Sequence, residues 1–166
     1  MQRAAKTVVG LWVLSLAWNQ WRRRAYYEQA VQRARAIGRP LIVIGDPKKG
    51  MSSSLLGVMH GAGDVCIDLD PVSDECYRAD ATAYLRTLQS DSAVIYTSCV
   101  LEYVPAIDDL IGELNRVSGG PLNLFVVNLQ WWTPSAYLYS FQGDTSHNVI
   151  LAAPPSSDHI SYFRLR

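Results

Sequence analysis

PLIVIGDPKKGMSSSLLGVMHGAGDVCIDLDP, residues 40–71, contains two apolar runs separated by a glycine-bounded turn. Leu41-Ile42-Val43-Ile44 is too short for a buried helix, is rich in β-branched residues and runs straight into Gly and Pro, which predicts a strand. Gly45 and Gly50 bound the turn and permit backbone conformations closed to other residues, and Ser52, Ser53 or Ser54 can cap a helical piece behind it. Asp64 to Asp70 predicts a second strand. In an open α/β sheet, strand, glycine turn, helix and strand place a ligand crevice at the carboxyl end of the first strand, beside a helix N-terminus. Asp68 and Asp70 close the second strand where a ribose hydroxyl would find an acceptor. The same letters also describe a tight turn with a solvated strand end, so the motif alone assigns no ligand.

A chain of 166 residues with 49% hydrophobic and 18% charged residues is globular and fits one core. Its net charge is zero, but the charge is lopsided. Residues 1–39 hold eight Lys or Arg and one acid, Glu28, which leaves seven basic and fourteen acidic residues in 40–166. The body is therefore acidic and offers no groove for nucleic acid. The three cysteines, Cys66, Cys76 and Cys99, form no CxxC pair. Cys66 and Cys99 fall in apolar runs, so they read as small core residues in a reducing compartment, with no disulfide framework and no metal site.

Residues 1–39 form a separate unit from the domain at 40–166. Thr7 to Trp18 is a dozen uncharged, mostly apolar residues between Arg3 and Lys6 on one side and Arg22-Arg23-Arg24 on the other. Twelve is short of the ~20 needed to cross a bilayer, although Ala4 to Trp21 reaches eighteen if Lys6 snorkels. Trp12, Trp18 and Trp21 suit an interfacial belt, and the triple arginine suits the cytoplasmic side of an anchor. Three readings follow: a membrane anchor or membrane-surface helix through residues 4–24, a helix packed on a protein partner, and a cleaved signal. The last lacks a small-residue cleavage site. The first places the protein at a membrane with its globular domain on the cytoplasmic side. Arg24 to Ile37 has no Gly or Pro, which extends one long helix to the stop at Gly38-Arg39-Pro40.

Beyond residue 71 strands and helices alternate. Tyr77 to Asp80 predicts a third strand running into a helix, Thr82 to Leu88, and Ser92 to Val100 is the strongest buried strand. Ala106 to Val117 spaces Ile107, Leu110, Ile111, Leu114 and Val117 at three and four, an amphipathic helix ended by Gly119-Gly120-Pro121. Leu122 to Leu129 is another apolar strand, Pro134 to Phe141 a short helix, and His147 to Ala153 and Ile160 to Leu165 the last strands. Strands apolar on both faces and separated by helices predict an α/β fold, a mostly parallel, doubly wound sheet behind a long N-terminal helix.

The stretch Val100-Leu101-Glu102-Tyr103-Val104-Pro105, followed by Leu110, Glu113-Leu114, Arg116-Val117 and Gly119-Gly120, is similar to the LEH-V-P … L … EL-RV … GG pattern behind the fourth strand of class I S-adenosylmethionine-dependent methyltransferases. The resemblance runs from Leu41 to about Leu129. It implies the Rossmann-like fold of that family, with Gly45 as the first glycine of the cofactor loop and Asp46, Gly50 and Ser98 in the cofactor site. Asp68 would meet the ribose hydroxyls and Asp80 the adenine amine. The chain departs from the family where Val43 replaces the usual acid of the first strand, where Pro47, Lys48 and Lys49 crowd the loop, and where Tyr103 replaces a histidine. Thr97-Ser98-Cys99 stands in place of an Asn-Pro-Pro-Tyr motif, which argues against methylation of a base amine.

Methyl transfer from a sulfonium asks mainly for desolvation and in-line orientation, so few dedicated acids or bases are required. His147, His60 and Glu102 are candidates for a base, each with a plain structural alternative, and Trp131-Trp132 stand at the rim where substrate would sit. Two functions remain open. One is a membrane-tethered, S-adenosylmethionine-dependent methyltransferase-like enzyme. The other is a catalytically inactive relative serving as a structural or assembly subunit of a membrane-associated complex or virus particle.

Overall fold

The structure, a computed structural model, describes residues 2–49, 53–54, 57–58, 60–104, 106–127, 149–151 and 162–164. Its elements are α1 (Gln2–Ile37), β1 (Leu41–Ile44), β2 (Val65–Asp68), β3 (Cys76–Arg78), α2 (Ala81–Arg86), β4 (Val94–Ser98), α3 (Ile107–Ser118), β5 (Leu124–Val127), β6 (Val149–Leu151) and β7 (Tyr162–Arg164). Single turns of 3-10 helix at Leu101–Tyr103 and Pro121–Asn123 complete them. Five strands make one sheet in the order β3-β2-β1-β4-β5, every neighbouring pair parallel. β6 and β7 pair antiparallel in a separate ladder. The predicted helix at Pro134 to Phe141 lies outside the described residues, as do Gly50, Trp131, Trp132 and His147.

Successive strand side chains point to opposite faces, and here both faces are covered. Ile42, Ile44, Ile67, Ile95, Leu124 and Val126 meet Leu85 of α2 and Ile107, Leu110, Ile111, Leu114 and Val117 of α3. Leu41, Val43, Cys66, Val94 and Tyr96 meet Ala30 and Ala34 of α1. This is why the strands read as continuous apolar runs: all four residues of β1 and all five of β4 are buried. The pattern is that of a Rossmann-like α/β protein. It bears out the strands of the parallel sheet, with β2 and β4 a residue or two shorter at each end than the sequence suggested and β3 beginning one residue earlier; Leu122 is exposed in a 3-10 turn and not in β5.

Arg116 of α3 straps α2 in place. Its guanidinium donates to the carbonyls of Leu85 (2.8 Å) and Leu88 (2.9 Å) while pairing with Glu113 (2.6 Å). The Leu88 carbonyl just past α2 is thereby given a donor from another element, and the Leu85 carbonyl a second donor besides the Leu88 N–H (3.0 Å).

One expectation is overturned. Cys66 and Cys76 are joined in a disulfide. They are register partners on adjacent parallel strands, with Cα atoms 4.4 Å apart, within the span a disulfide bridges. The premise for a reducing compartment falls with it, and Cys99 stays outside the disulfide. Among the described residues no helix is long and apolar enough to cross a membrane, so the spanning form of the N-terminal anchor has no support.

Candidate functional site

The sheet order reverses direction between β1 and β4, and the carboxyl ends of these strands are where an open α/β sheet forms its crevice. Gly45 follows β1 at φ +103°, and a Cβ there would lie 2.9 Å from Val100 Cγ2 and 3.1 Å from the Ser98 carbonyl oxygen. Glycine is thus required both by the dihedral and by the close approach of the chain leaving β4.

Asp46 turns back into the body. One carboxylate oxygen accepts from the Lys48 backbone N–H (2.8 Å), and the other from those of Val72 and Ser73 (2.7 Å each). Burial pushes the Asp46 pKa up, but the N–H groups of Lys48, Ser73 and Val72 outweigh it and hold the carboxyl below its ordinary value. Its role is to tie the loop after β1 to the segment after β2.

Asp68 ends β2 as the sequence reading expected, only 11% exposed at its side chain, and it is engaged from within. Oδ2 accepts from the Asp46 N–H (3.0 Å); Oδ1 accepts from the Asp70 N–H (2.8 Å) and from Lys49 Nζ (2.7 Å). Lys49 also donates to the Asp70 carbonyl at 2.8 Å. Asp70 is exposed and pairs with Arg78. Asp80 is exposed at the head of α2, where it caps the helix by accepting from the Ala83 N–H (2.8 Å). Ser98, buried at the end of β4, has its hydroxyl 3.9 Å from Cys99 Sγ. The structure therefore brings Gly45, Asp46 and Asp68 into direct contact around one loop, with Ser98 against Gly45. It leaves Asp80 to a capping bond.

A second polar cluster lies beneath α1, and the sequence reading missed most of it. Arg23, expected at a membrane flank, is buried; its guanidinium donates to Cys99 Sγ at 2.5 Å, and its carbonyl accepts from the Tyr96 hydroxyl at 3.1 Å. Cys99 has φ +56°, a left-handed backbone that turns the chain out of β4. His60 is buried between Tyr96 and Tyr27, with ring centroids 5.0 and 5.8 Å away, and its Nδ1 lies 3.1 Å from the Gly61 carbonyl. Burial, with the Arg23 charge adding to it, lowers the His60 pKa to about 4 against the Gly61 carbonyl and Asp46. Burial likewise raises that of Tyr96. No local signal marks Arg23 or His60, because what buries them is α1 folding back over β4.

At the opposite, amino end of the sheet, Tyr27, Val31, Arg35, Arg39, Leu41 and Asp64 border an open cleft of about 490 Å³. It is remote from the glycine turn. These features define an α/β protein with a Rossmann-like parallel sheet whose strand order reverses between β1 and β4. Compared with protein-family models, with curated proteins and with solved structures, the chain matches none.

Proposed function

We propose that the crevice is a nucleoside-cofactor site of the S-adenosylmethionine type and that the chain is a methyltransferase-like protein. The observation that carries this is the all-parallel order β3-β2-β1-β4-β5, with a required glycine after β1 and an inward-held aspartate ending β2. Bound there, such a cofactor would supply an electrophilic methyl group, and this chain's part would be to hold its ribose on Asp68 and to turn its transferable end toward Ser98 and Cys99.

The fit depends on Lys49. A carboxylate offers about four acceptor positions, and Asp68 already spends three, so a ribose diol fits only after the ammonium leaves. Lys49 is 42% exposed, and an ion pair of that kind contributes about 1 kcal/mol or less, which a nucleoside can displace. The same observation favours a second reading: if the lysine is permanent, it replaces the cofactor and the protein is a non-catalytic scaffold on an enzyme fold.

Titration calorimetry with S-adenosylmethionine and with its demethylated product separates the two. Micromolar binding by the intact chain, tightened in Lys49→Met and abolished in Asp68→Ala, supports the cofactor site. No heat from the intact chain and from Lys49→Met alike leaves the scaffold.

A further inference from the structure

Residues 8–14 of α1 present aliphatic side chains around the helix. Val8, Val9, Leu11, Val13 and Leu14 are 49 to 67% exposed. At ~100° per residue, these five positions leave no side of the helix without an exposed aliphatic chain. An amphipathic helix lying on a surface keeps a polar face. A single helical partner covers one stripe. Only an apolar phase covers the whole circumference.

Length and charge narrow the choice. Thr7 to Trp18 spans about 18 Å as a helix, against a hydrocarbon core of ~30 Å, so its two flanks cannot reach opposite headgroup layers. Both flanks are basic, with Arg3 and Lys6 before the segment and Arg22 to Arg24 behind it. Arg23 turns inward to Cys99, which fixes the edge of the globular body at that point, while Arg24 next to it is exposed. Trp21, exposed beside them, sits at the level where indoles favour a bilayer interface. Residues 1–39 carry a net charge of +7 and residues 40–166 one of −7, so an anionic surface attracts the helix and repels the body.

We infer that residues 7–18 submerge in one leaflet of an anionic bilayer, with Lys6 at one end and Arg24 at the other both reaching the headgroups of that same leaflet. This placement is independent of whether the crevice binds a nucleoside.

The test uses the full chain, carrying a protease-cleavable tag ahead of Met1, added to preformed sealed vesicles. Phosphatidylcholine vesicles containing phosphatidylglycerol should co-float with the protein, and the tag should remain cleavable from outside. The double variant Leu11→Asp/Leu14→Asp alters only exposed positions and should weaken partition about a hundredfold or more, with unchanged circular dichroism. A tag protected inside the vesicle would show a spanning helix and overturn the single-leaflet placement. Equal partition into pure phosphatidylcholine would overturn the headgroup contact. Absence of vesicle binding overturns the proposal outright, and self-association in sedimentation that the double variant abolishes would then identify a second copy as the occupant.

Discussion

His60 gives the fold a pH dependence that can be calculated. The imidazole is packed between two tyrosine rings and under the charge of Arg23, and its pKa falls from 6.5 to about 4. In the unfolded chain it takes up a proton below about pH 6.5; in the folded protein it does so only near 4. As pH falls through this window the unfolded state binds more protons, so stability falls with it, and it is fully retained above 6.5. Between pH 7.5 and 5 the loss is about 2 kcal/mol, approaching about 3 kcal/mol below pH 4. With a urea dependence of ~2 kcal/mol per M, the unfolding midpoint should drop by about 1 M at pH 5. Other acids also titrate there, so the reading is a difference: His60→Gln and His60→Phe should each lose about 2 kcal/mol less than the parent over the same interval, whatever their stability at pH 7.5. Parallel curves for parent and both variants would refute the assignment of a neutral, buried histidine.

Three further outcomes follow from the packing. Replacing the Cys66–Cys76 bridge in the double variant Cys66→Ala/Cys76→Ala should lower stability by about 3 kcal/mol, the loop-closure value for a separation of ten residues, and should abolish any effect of dithiothreitol on the melting temperature. Gly45→Ala should destabilise by about 2 kcal/mol or more, since it combines a positive φ with approach to the Ser98 carbonyl; a neutral result in urea unfolding would deny that contact. Arg116→Met should cost about 2 kcal/mol by leaving the Leu88 carbonyl and Glu113 without the guanidinium and the Leu85 carbonyl with its backbone donor alone. Arg116→Lys should restore only part of this, because an ammonium cannot hold Leu85, Leu88 and Glu113 together.

The strands were legible because burial on both faces writes itself as an unbroken apolar run, as in Leu41 to Ile44 and Ala93 to Tyr96. α3 was legible from its spacing and its glycine stop, where Gly119 takes φ +69° and a Cβ would collide with Asp91. What was illegible depends on register and on distant segments. Cys66 and Cys76 look unrelated across Asp70-Pro71 until β2 and β3 are aligned. His60 reads as one histidine in a glycine-rich linker until Tyr27, 33 positions earlier, closes over it.

The same division governs the crevice. A sequence shows that an acid ends β2, but the worth of Asp68 to a ligand depends on which donors already satisfy it, and those come from Asp46, Lys49 and Asp70. Two of the three are backbone N–H groups, fixed by the fold and present whether or not a ligand binds. They set the orientation of the carboxylate, as a cofactor site requires. The third is a solvated side chain that can leave at small cost. A permanent structural lock would be expected to resemble Asp46, whose oxygens take three backbone donors and which lies buried. Asp68 differs from it in the one removable donor, and for that reason Lys49, more than either aspartate, is the residue on which the choice between enzyme and scaffold turns.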